Sequence, residues 1–116
     1  MGFLFVGIGG AIGAMLRYAI SLIPVKTDFP VLTLITNVIG AFAIGLIVAF
    51  AVKYKLSDNV ILLLKTGVCG GFTTFSTFSL ESVNLFKSGK PILAVTYALL
   101  SLVLCIIAVM IGMKFE

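Results

Sequence analysis

Apolar residues run in four long stretches, and polar residues gather mostly between them. The first stretch covers about 2–23, with Arg17 as its only charge, and Pro24 closes it. The second covers about 31–52 and has no charged residue; its polar groups are Thr33, Thr36 and Asn37. The third covers about 60–86. The fourth, about 91–113, opens on Pro91, a favourable first helical residue, and carries Tyr97, Ser101 and Cys105. Each stretch reaches the roughly 20 residues a helix needs to cross a bilayer. The pattern predicts an all-α membrane protein, a single domain over 1–116 with four transmembrane helices. Short connections make neighbours antiparallel.

The third stretch breaks the pattern in its middle. Gly70-Gly71-Phe72-Thr73-Thr74-Phe75-Ser76-Thr77-Phe78-Ser79 places two glycines before five Ser/Thr. Gly costs about 1 kcal/mol against Ala inside a helix, and Thr is only a modest helix former. The expectation is two half-helices with a break near Gly70–Thr74. Irregular backbone at membrane depth survives only when buried in protein or lining a cavity. Carbonyls freed there suit a small hard cation such as Na⁺. The alternative is a kinked but closed helix whose Thr hydroxyls bond back to carbonyls.

Composition sharpens this picture. The 116 residues are 61% hydrophobic and 10% charged, against about 25% charged in soluble domains. A soluble enzyme, a disordered chain and a disulfide scaffold are all disfavoured. The net charge of +4 is spread among loops rather than clustered, so no nucleic-acid partner is expected. Lys53, Lys55, Lys65 and Lys114 fall on one side of the membrane, and Arg17, Lys26, Lys87 and Lys90 on the other. This balance sets no orientation. The chain is therefore expected to insert both ways and pair as an antiparallel, dual-topology dimer, its two-fold axis in the membrane plane.

Candidate chemistry is sparse. With no histidine, two separated cysteines and no Ser-His-Asp set, catalysis has nothing to stand on. Phe75 and Phe78 share a helix face, with Ser76, Thr77 and Ser79 beside them. Such a Phe pair is ordinarily core packing, but ring edges are positive and can contact an anion. Asn37 brings an amide into the second span. Arg17 and Glu81 either snorkel to the interface, as an ion pair, or serve the pathway.

At these residues the chain resembles the Fluc (CrcB) fluoride channels. The run from Gly70 to Ser79, followed by Glu81, is similar to that family's third-helix signature. The glycine-rich first span with Arg17, and Asn37 followed by Gly40, extend the likeness over the whole chain. The resemblance implies a multi-pass cell-membrane protein exporting fluoride passively and excluding chloride, with two pores at the interface of an antiparallel homodimer. It would make Phe75, Phe78 and Asn37 pore residues, with a polar track of Ser76, Thr77, Ser79 and Glu81. Arg17 would stand near the vestibule. A central structural Na⁺ would lie on the backbone carbonyls of Gly70 and Thr73. On the fourth helix Cys105 and Val109 stand where the family often has polar residues, with Ser101 one turn before Cys105. That departure admits a heterodimer, in which this chain supplies part of a pore and a paralogous subunit the rest.

Two rivals differ in kind. A proton-coupled multidrug exporter also has four spans and dual topology. It needs a deep carboxylate, usually in the first span, and here only Glu81 could serve. An accessory subunit without a pore of its own would need only the small-residue packing faces.

Overall fold

The computed structural model describes residues 1–115, and its described residues hold four helical spans long and apolar enough to cross a membrane. Helix α1 covers Gly2–Ser21, α2 Val31–Lys53 and α6 Pro91–Met113. The third span is composite. A short α3, Asp58–Ile61, leads into a π-helical segment, Leu62–Cys69; then follow α4, Gly70–Phe72, and α5, Phe75–Lys87. Starts and stops follow local chemistry. Pro30 precedes α2 and Pro91 opens α6. The Ser57 side chain accepts from the Val60 amide and caps α3. Gly89, at φ 78°, makes the left-handed turn between α5 and α6. Lys90 Nζ meets Asp28 Oδ2 at 2.6 Å, clasping the α1–α2 loop to the α5–α6 turn.

Glycine pairs set the packing. Gly9 and Gly13 of α1 press on the π segment and α4 so closely that side chains would not fit. A Cβ on Gly9 would lie 2.9 Å from Gly67 Cα, and one on Gly13 2.7 Å from the Phe72 amide nitrogen. On the other side Gly45 of α2 meets Gly112 of α6, where a Cβ would stand 3.1 Å from the opposing Cα. In hydrocarbon no hydrophobic effect drives helices together, so close van der Waals packing of small residues must. A small core gathers Leu34, Leu85, Ala94 and the fully buried Tyr97, with Phe29, Val38 and Phe78 against it.

The break falls at the C-terminal end of the expected stretch Gly70–Thr74. Gly70 and Gly71 are helical. The extended residues are Thr73, at φ −83° and ψ 156°, and Thr74, at φ −148° and ψ 120°. The glycine at 71 answers packing instead: a Cβ there would stand 3.0 Å from Gly10 Cα.

Candidate functional site

Where the helical backbone stops, one side chain replaces it. In a continuous helix the Thr74 amide would donate to the Gly70 carbonyl, four residues back. Here it donates to Asn37 Oδ1 at 2.8 Å, while Asn37 Nδ2 donates to the Thr74 carbonyl at 3.1 Å. A single amide thus satisfies both main-chain groups of one extended residue. Thr74 Oγ1 then accepts from the Thr77 amide at 3.1 Å and starts α5. Thr73 behaves as the closed-helix alternative expected: its hydroxyl donates back to the Cys69 carbonyl at 2.9 Å. Gly40, three residues after Asn37, leaves room for the Thr73 methyl group.

This junction faces a cavity of about 590 Å³. Of the residues nominated by the sequence, Asn37, Phe75, Phe78, Ser101, Cys105, Gly70 and Thr73 all line it, with Val109 and Lys65. Phe78 packs at a tilt between Phe75 and Tyr97, ring centroids 5.4 and 5.0 Å away. Phe75 is 78% exposed in the single chain. Ser101 is buried, and its hydroxyl finds no hydrogen-bond partner among the described residues. That unsatisfied group, together with the second N–H of Asn37, offers neutral donors beside aromatic rings.

The other nominated residues lie apart from this cavity. Arg17 and Thr77 line a smaller cavity of about 120 Å³ with Thr33 and Thr36. Arg17 does not pair with Glu81. Its Nε donates to the Gly71 carbonyl at 3.1 Å, next to the break. Ser76 Oγ lies 3.4 Å from Thr74 Oγ1, and Ser79 donates back to the Phe75 carbonyl at 2.9 Å. Glu81 is held from two spans: Thr33 donates to Oε2 and Tyr97 to Oε1, both at 2.9 Å. Thr33 and Tyr97 were not nominated as partners. Thr33 carried a faint signal, lying one turn before Asn37 on the same face of α2. Tyr97→Phe is expected to lower unfolding stability in detergent by about 1–3 kcal/mol, because it leaves a carboxylate oxygen without its donor.

Four apolar spans, with a polar junction at an interrupted helix beside an aromatic-lined cavity, define a small multi-pass membrane protein. The family model described as CrcB-like protein, Camphor Resistance (CrcB), matches residues 4–113, and the chain belongs to that family. Among curated relatives, a protein of Ruminiclostridium cellulolyticum named fluoride-specific ion channel FluC is 45% identical, covering 92% of this chain and 85% of its own. Namesakes from Francisella philomiragia and Clostridium perfringens are 42% and 44% identical. They cover 97% and 96% of this chain, and 92% and 90% of their own.

Proposed function

We propose that the chain is the subunit of a fluoride-selective channel in the cell membrane, through which F⁻ runs passively out of the cell. The observation that carries the reading is the cavity in which Asn37, Ser101, Phe75 and Phe78 converge. Fluoride is small and strongly hydrated, so a path must replace water with close donors. Neutral donors do this without trapping the ion, since a conducting site must be weak enough to leave. The names of the relatives point to the same anion, and to a channel rather than an enzyme.

The working unit would be an antiparallel, dual-topology homodimer with two pores. The even distribution of Lys and Arg and the outward Phe75 ring support it. Gly70 supports the proposed Na⁺ at the two-fold axis, with Thr73 as the second carbonyl donor that the family resemblance implies. The Thr74 amide is diverted from the Gly70 carbonyl to Asn37. A Cβ on Gly70 would meet nothing closer than 3.9 Å, so that face of the helix is bare. Carbonyl oxygens are the donors a hard cation takes. When bound, the ion would supply a fixed positive charge beside an anion path.

A second reading, the heterodimer, is favoured by Cys105 and Val109 in the cavity wall, since a thiol is a weak donor and valine none. The proton-coupled exporter gains no support: Glu81, the acid it requires, holds two hydroxyls from neighbouring spans. Fluoride efflux from liposomes holding only this chain, read by a fluoride electrode with chloride as control, separates the readings. Rapid fluoride loss without chloride loss is expected. A well-folded dimer without fluoride efflux would select the heterodimer.

A further inference from the structure

The channel reading leaves one charged group without a task. Lys65 lies inside the π-helical segment, half-buried, one π turn before Gly70. The Gly70 amide donates to the Gly67 carbonyl and to the Lys65 carbonyl, the latter five residues back. This π register brings Lys65 and Gly70 to the same face, whereas α-helical winding would turn them well apart. Lys65 consequently lines the same cavity as Asn37, Phe75 and Phe78.

Lys65 is the only charged residue on that wall, and no Asp or Glu lines it. Among the described residues the only ion pair is Lys90–Asp28, between the α1–α2 loop and the α5–α6 turn. An ionisable group within a span is costly and normally faces a partner or a wet cavity. A cation in a cavity with low-dielectric walls focuses its field into that space and raises the local anion concentration.

We propose that Lys65 is the entry cation of the anion pathway, a positioning residue that draws fluoride into the cavity and sets the rate of entry rather than the selectivity. The inference rests on the channel reading. It places the gathering of the ion on a residue distinct from the neutral donors that dehydrate it. Arg17, the other cation near the break, faces the smaller cavity and is engaged by the Gly71 carbonyl.

The test is initial fluoride efflux from liposomes carrying wild type, Lys65→Gln, Lys65→Arg or Lys65→Glu, at low and high ionic strength set by an impermeant salt. The Debye length falls from about 30 Å at 0.01 M to about 3 Å at 1 M, so an electrostatic role is salt-sensitive and a packing role is not. At about 0.01 M, Lys65→Gln is expected to slow efflux by about 3- to 10-fold and Lys65→Glu by more, with Lys65→Arg near wild type. At about 1 M the deficit should shrink towards none, and chloride should stay excluded throughout. Equal rates for wild type and Lys65→Gln at low salt overturn the proposal while leaving the channel standing. So does a deficit that ignores salt and is not rescued by arginine. A wild-type chain that passes no fluoride overturns both.

Discussion

Asn37→Ala is expected to reduce fluoride efflux at least 100-fold and to weaken the fold as well. The Asn37 amide satisfies the Thr74 N–H and C=O together, at 2.8 and 3.1 Å. Alanine leaves both groups without partners in a low-dielectric setting, at about 1–3 kcal/mol each. Two such losses are enough to let the break close, or to shift α5 and carry Phe75 and Phe78 out of the cavity. Asn37→Asp separates the structural role from the conducting one. Its carboxylate still accepts from the Thr74 amide, so most of the stability should return. It lacks the N–H donors and sets a negative charge beside an anion path, so flux should stay low. Thermal unfolding in detergent and liposome efflux, run on both variants, check the pair. An Asn37→Ala protein conducting at the wild-type rate would remove Asn37 from the pathway.

Gly13→Val is expected to abolish the folded state altogether. The added Cβ would fall on the Val68 carbonyl oxygen, 2.7 Å from the Phe72 amide and 3.0 Å from the Gly71 carbonyl carbon. These are main-chain atoms in helical segments and cannot swing aside as a side-chain tip could. Relief requires α1 to move away from the third span along the whole Gly9–Gly13 seam. That motion also pulls Arg17 from the Gly71 carbonyl. The comparison is Gly7→Val on the same helix, where a Cβ meets nothing within 4 Å. Size-exclusion profiles in detergent should show aggregate for Gly13→Val and the wild-type species for Gly7→Val. Aggregation of both would point to a general intolerance of α1 to β-branched residues rather than to the seam.

The spans were legible because bilayer length and apolar content leave little choice, and because Pro30 and Pro91 punctuate two helix starts. Asn37 and the Phe75–Phe78 pair were legible for a related reason. A polar amide in a 23-residue apolar helix needs a partner, and rings three apart share a face. The π-helical segment was not legible, since Leu62–Cys69 has no periodicity that sets it apart from ordinary helix. The break falls inside the expected stretch, at Thr73–Thr74, but the glycine pair at 70–71 did not mark its position because glycine has two uses in membranes. One is backbone freedom, the other close approach, and a single sequence does not separate them. Glu81 was visible as an anomaly, but its partners Thr33 and Tyr97 lie 48 and 16 residues away. Only the tertiary arrangement brings those three together.

The way Glu81 is held bears on energy conversion. A transporter that accumulates its cargo against a gradient must tie each crossing to a second, downhill event, most often a proton taken up and let go. The chain has no histidine, and Glu81, the carboxylate inside α5, has each oxygen engaged by a hydroxyl from a different helix. A carboxylate so engaged ties α5 to α2 and α6 and serves the packing of the bundle. On the channel reading the protein works as a conduit whose net flow follows the driving force of the membrane voltage and the fluoride gradient. Reversing that force should reverse the current through the same protein, with no change in the number of protons moved.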